Sequence, residues 1–557
     1  MKTRTLIALQ LVTIATLVGC DATPLYIGFM RVDGGGGAVS TSTTSTAGGA
    51  GGAGGAGGAG GALLCSPGAT QPCYSGPAGT EGQGICEVGT QVCAADGMSW
   101  AACSGEVLPG VEDCATAVDE DCDGLAPPCK GNLLWAKRFG DIGEQQATGV
   151  ATDASGNVLV TGSFAASINF GGEPLISAGG SPGSSDVFVA KLDSSGNHVW
   201  SKRFGDVNSD AAQGVAVDGA GNVLVVGHFG GTVDFGGGPL SSAGGQDVFL
   251  VKLDANGAHV WSKRFGDSAK QSAQSVVVDT TGNVIITGYF GGAVDFGGGP
   301  IASTTNKDVF LAKYDISGGH LWSASFGAAE GRAVAVDGMG NVLAAGALLG
   351  TVDFGGGQLS SAGGQDAFLA KLDDGGMHVW SKRFGDVSYQ AARAVAVDSA
   401  ANTLMTGYFS GSVDFGGGPL SSTAGENIFL AKFDAGGAHA WSKRFGDGGI
   451  QTGSGVALDA AGNVVLTGDF GAQLDFGGGP LQSGGASDVF LAKLDADGAH
   501  LWSKRFGDAA NQAGRGVAVD PWGNVLIAGD FGGAIDFGAG SLVSSGGADS
   551  FVAKFGP

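Results

Sequence analysis

Eight cysteines, Cys65, Cys73, Cys86, Cys93, Cys103, Cys114, Cys122 and Cys129, crowd one short stretch of the chain, and none follows them. Thiols at this density either pair as disulfides or ligate zinc. An even number spread over a segment poor in apolar residues reads as a disulfide framework of up to four bridges, with a connectivity that spacing does not fix. Zinc sites bring tight Cys-x-x-Cys pairs, which this stretch lacks. Within it, Asp119, Asp121 and Asp123 alternate and Gly124 follows. That is the first half of a calcium loop, where carboxylate oxygens converge on a hard cation. The twelfth position holds Lys130 where such a loop needs a bidentate Glu. The acidic turn is either a structural Ca2+ site completed by oxygens such as those of Glu112 or Asp113, or a solvated turn beside a disulfide.

Two further residue types recur. Six of the seven histidines (His198, His259, His320, His378, His439, His500) stand two residues before a Trp. An Asp precedes Phe-Gly at Asp234, Asp295, Asp353, Asp414, Asp475 and Asp536, with Asn169 in the corresponding first position. Metal binding and acid–base catalysis need groups that converge. One group repeated once per structural unit does not converge, so the histidines read as packing residues and the aspartates as turn caps. A ring of carboxylates binding cations is the sharper reading of the aspartates.

The elements that must carry these residues are repeats. Trp135, Trp200, Trp261, Trp322, Trp380, Trp441 and Trp502 recur at intervals of 58 to 65 residues. Each unit has four short Val-, Leu- and Phe-rich bursts separated by Asp-x-x-Gly punctuation, the signature of strands joined by tight turns. Four strands per unit make a propeller blade. The Gly-, Ala- and Val-built first strand suits the crowded axis, and the continuously apolar third strand suits burial on both faces. The repeat region opens with a Trp-type fourth strand, Leu134 to Phe139, and stops after a third-type strand, Asp549 to Phe555. The expectation is an all-β, seven-bladed β-propeller over residues 131–557, closed by its N-terminal strand, which covers two otherwise sticky edges. The Asp-x-x-Gly-Asn-Val stretches (Asp153 to Val158, Asp279 to Val284, Asp459 to Val464) resemble a bacterial β-propeller repeat family. The Asp254 to Trp261 and Asp495 to Trp502 stretches resemble quinoprotein propeller repeats.

Ahead of the repeats, a basic start and an apolar stretch end in Leu17-Val18-Gly19-Cys20. This apolar run is short for a membrane span and reads as an export signal over residues 1–19. Its end resembles the lipobox of bacterial lipoproteins, which implies that Cys20 carries acyl chains and anchors the chain in the membrane. Asp21 leaves the choice of membrane open, with the outer membrane or cell surface favoured. Residues 20–62, with their Gly-Gly-Ala run, form a tether. Residues 63–130 form the disulfide-rich module. Its Cys-Tyr-Ser-Gly-Pro, Gly-Thr-Gln-Val-Cys and Asp-Glu-Asp-Cys-Asp-Gly motifs resemble a cysteine-rich metal-binding module of bacterial surface proteins. Copper is disfavoured because this stretch lacks His.

The composition excludes other classes. With 109 glycines a long helical array is ruled out, and 15 prolines without a three-residue glycine period rule out collagen. With 28 Lys+Arg against 52 Asp+Glu, the net charge of −24 repels nucleic acid. No nucleophile elbow or phosphate loop is present, so no enzyme is expected. The reading is a monomeric propeller in the cell envelope that binds an unknown protein or glycan. Its recognition surface lies on the variable loops bearing Asn208, Lys270, Arg332, Tyr389 and Ile450. An envelope hydrolase or lyase, and a purely architectural spacer, are the rivals.

Overall fold

A computed structural model describes residues 64–76, 80–109, 119, 131–179, 184–422 and 424–557. The described residues contain no helix. From residue 131 onward they form seven antiparallel four-stranded units, each with its first strand innermost and its fourth outermost. In blade 1 the order is Gln145–Thr152, Val158–Phe164, Asp186–Leu192 and His198–Phe204. Consecutive first strands pack side by side around an axis, and that of blade 7, Gln512–Val519, packs against that of blade 1. The ring is closed.

Closure uses both ends of the repeat region. Leu133–Phe139 pairs antiparallel with the last strand, Asp549–Phe555, and becomes the fourth strand of blade 7. This is the strand exchange expected from the sequence. Every third strand is buried along its whole length, as in Asp247–Leu253 and Asp488–Leu494. The apolar clusters lie between blades. One joins Val187 and Val189 of blade 1 to Phe229, Phe249 and Val251 of blade 2. Another joins Leu526 and Val552 of blade 7 to Phe164 and Phe188 of blade 1.

The recurring polar residues are spent on this architecture. In each Asp-x-x-Gly-Asn turn the Asp side chain accepts from two backbone N–H groups and from the Asn amide. In blade 2, Asp218 takes N–H bonds from Ala220 and Asn222 at 2.9 Å and the Asn222 amide at 2.8 Å. The same carboxylate pairs with the buried third-strand Lys252 at 2.8 Å. Burial raises the pKa of the matching Asp279, yet hydrogen bonds from Thr281, Lys313 and Asn283 hold it down at about 2. The lysine also reaches the next blade: Lys252 donates to the Ile316 carbonyl at 3.2 Å, to which Trp261 donates at 3.4 Å. Lys554 and Trp135 fasten blade 7 to Ser194 of blade 1 in the same way.

The Asp before Phe-Gly caps a small hairpin. Asp234 Oδ1 accepts from Gly236 N at 2.7 Å and Gly238 N at 3.1 Å, and both glycines have positive φ. Phe235 packs between Phe204 and Phe249, with ring centroids 4.9 and 5.0 Å away. His259 lies over Gly237 of this hairpin and bonds Ser262 at 3.1 Å.

In the cysteine-rich region, Thr70–Cys73 pairs with Gly89–Val92, and disulfides join Cys65 to Cys93 and Cys73 to Cys103. Cys86 is also disulfide-bonded.

Candidate functional site

The innermost strands do more than pack. Each carries a β-bulge at one repeat position, where one extra residue faces no partner in the second strand. The extra residues are Thr148, Gln213, Gln274, Arg332, Arg393, Ser454 and Arg515. A bulge re-aims a side chain out of the alternation of its strand. All seven line a cavity of about 230 Å3 on the ring axis, next to small residues such as Gly149, Gly214 and Gly516.

The bulge explains a glycine in the second strand. A Cβ on Gly288 would sit 2.0 Å from the Ser272 carbonyl oxygen, and one on Gly407 would sit 2.0 Å from that of Ala391. Only glycine lets the bulged strand approach so closely.

The ring of extra residues is chemically uneven. Blades 4, 5 and 7 supply arginines, and blades 1, 2, 3 and 6 supply hydroxyls or amides. Arg332 bonds Glu330 at 2.9 Å, and Glu330 also pairs with Lys307. Arg515 pairs with Asp530. Arg393 lies over the Tyr408 ring, 5.4 Å from its centroid, and makes no ion pair among the described residues. Burial pushes the Asp469 carboxyl up to about 6, against the pull of Arg515 and Arg393. Burial and nearby Lys270 push His228 down to about 4, and its Nδ1 lies 3.1 Å from the Ser272 hydroxyl.

The loops from fourth strands to the next blade lie at one end of the ring, opposite the Asp-x-x-Gly turns. They are pinned through the Asp that ends Phe-Gly-Asp. Asp267 accepts from Ala269 N at 2.8 Å and Ala293 N at 2.7 Å. Burial opposes these bonds, but they hold its carboxyl below the usual range. On this frame Asn208 and Lys270 are exposed, as are Tyr389 and Ile450 at 58% and 61%.

Arg332 is not on a loop, contrary to the expectation from sequence. The deletion in unit 4 removes the connecting loop, so His320–Val336 runs unbroken from the fourth strand of blade 3 into the first strand of blade 4. Arg332 lies in that first strand, where its bulge turns it into the channel as in the other six blades. The bulge ring was missed because a bulge is a backbone irregularity. Its one sequence signal was a polar residue recurring inside an otherwise small, apolar strand.

Asp119 is buried and its carbonyl accepts from Ile85 N at 3.1 Å. Cys20, Cys114, Cys122, Cys129, Asp121 and Asp123 lie outside the described residues. Among the described residues no three His, Cys, Asp or Glu side chains group as metal ligands.

The chain is 24% identical, over an alignment of 533 residues, to an uncharacterized WD repeat-containing protein of Acanthamoeba polyphaga mimivirus. That match covers 76% of this chain and 38% of the viral protein. It is 27% identical over 193 residues to the regulatory protein FlaEY of Caulobacter vibrioides, covering 32% of this chain and 20% of that protein. The chain thus spans well under half of either relative. Among solved structures, the Neurospora crassa Pan2 WD40 domain aligns at TM-score 0.39 with 8% identity, covering 76% of this chain and 98% of that one. The WD40 propeller domain of Doa1 aligns at 0.37 with 11% identity, covering 76% and 96%. No family model matches the chain. Its own sheet order identifies it as a seven-bladed β-propeller.

Proposed function

We propose that this chain is an exported lipoprotein of the bacterial cell envelope, held by acyl chains on Cys20, whose tethered propeller binds a protein or glycan without catalysis. The observation that carries the binding reading is the asymmetry of the ring. One end repeats the same Asp, Asn, Lys and Trp bonds blade after blade. The other end presents different residues in every blade, with Tyr389, Ile450, Lys270 and Asn208 exposed on pinned loops. Rigid loops with exposed aromatic and aliphatic anchors suit recognition.

A glycan and protein array probed with the full chain tests this reading. The expected result is a hit that Tyr389→Ala combined with Ile450→Ala weakens at least tenfold. Unchanged capture by that variant would remove the loops from the interface. For the anchor, labelling with a fatty-acid analogue should be lost in Cys20→Ala. An acidic turn at Asp119, Asp121 and Asp123 that holds structural Ca2+ should take up the ion in calorimetric titration at millimolar concentration.

A further inference from the structure

Three arginines share one ring of seven positions, in a chain with nearly twice as many acids as bases. That ring itself contains no acid. Arg332 and Arg393 extend from adjacent blades into the same cavity. Arg332 keeps one ion pair, to Glu330, but its Nη1 is buried and finds no hydrogen-bond acceptor among the described residues. Arg393 has its face on Tyr408 and no carboxylate partner. Two neighbouring guanidiniums, one of them without an ion pair among the described residues and repelled by the other, form a receptor for an anion. Desolvation and the neighbouring Arg332 pull the Arg393 guanidinium below its usual value, against Tyr408, Asp469 and Glu330, which raise it.

The rest of the ring narrows the class of anion. Arg515 is held by Asp530, and Gln213, Gln274, Thr148 and Ser454 add neutral donors and acceptors. A ligand that satisfies both halves is acidic on one side and hydroxylated on the other. The cavity of about 230 Å3 has room for roughly eight waters at about 30 Å3 each, which is the size of one sugar ring and too small for a folded peptide segment. We infer that the channel binds a sugar acid, its carboxylate on Arg332 and Arg393 and its hydroxyls on the amide and hydroxyl side chains of the opposite blades. This rests on reading the propeller as a binding protein. A free sugar acid and the uronate end of a glycan offer the same chemistry.

Isothermal titration of the full chain with D-glucuronate, D-glucose, N-acetylaspartate and a glucuronate-ended trisaccharide tests it. D-glucuronate should bind at submillimolar concentration. D-glucose and N-acetylaspartate should bind at least tenfold more weakly, and Arg393→Gln should lose at least tenfold while its circular dichroism is unchanged. A trisaccharide that binds more tightly than the monosaccharide assigns the ligand to a glycan, and one that binds more weakly assigns it to a free sugar acid. No heat with D-glucuronate, equal binding of glucose, equal binding of N-acetylaspartate (an acidic peptide group instead of a sugar), or undiminished binding by Arg393→Gln would overturn the inference. Loop variants at Tyr389 and Ile450 report on array capture instead, so failure of the channel and failure of the loops are separable.

Discussion

The two ends of the ring are built by opposite rules. At the turn end, Asp153, Asp218, Asp279, Asp337, Asp398, Asp459 and Asp520 each pair with a third-strand lysine. At the bulge tier and the loops, corresponding positions hold Thr, Gln, Arg or Ser and differ in exposure and partner. Repetition marks residues whose task is the same in every blade, which is to fasten it to the next. Variation marks positions released from that task.

The largest effect that would break this contrast comes from the closing strand. Removing residues 131–141 uncovers the edge of Asp549–Phe555 and takes Phe139 from beside Phe170. The melting midpoint should fall by at least about 10 °C, with association of the exposed edge visible in sedimentation. A midpoint unchanged by the deletion would mean that the ring does not depend on this strand.

Next is Asp218→Ala, which strands Lys252 with its side chain 3% exposed. Breaking a buried pair from one side costs about 3–5 kcal/mol. Calorimetry should show a drop of about 3–6 °C. A loss below about 1 kcal/mol would deny that the turn end is the fastening end.

Asp210 sharpens the comparison in the stabilising direction. It occupies the position of Gln145 and Gln271 in the neighbouring blades, beside Asp186. Burial, with added repulsion from Asp206 and Asp186, pushes its carboxyl up to about 7. Because the folded value lies above the unfolded one, the native state holds an extra proton between about pH 4 and 7. Its contribution is favourable in acid and is lost as pH rises through about 7. Asp210→Gln, which restores the repeat residue, should stabilise the protein at pH 8 by on the order of 2–4 kcal/mol and by much less at pH 4. Equal effects at both pH values would contradict the assignment.

Blade number, strand order and closure were legible in the sequence because they rest on periodicity and on counting strand types, from the fourth-type strand ending at Phe139 to the third-type strand ending at Phe555. Capping by Asp234 was legible from its glycines. The channel was not, because bulges at Arg393 and its counterparts arise where the backbone departs from alternation. Arg332 was not legible as a channel residue because in blade 4 the strand runs unbroken through the expected loop and a bulge turns the side chain inward. The lysine staples were hidden inside apolar third strands, where charge is costly unless paired with a residue from a turn distant in sequence.

The most direct test of the division of labour is the melting temperature of Arg393→Gln measured beside wild type. Arg393 has no ion pair among the described residues and fastens no blade, so the account predicts midpoints within about 1 °C of each other. A fall as large as that of Asp218→Ala would show that the channel tier holds the ring together, and the separation of a fastening end from a recognising one would fail.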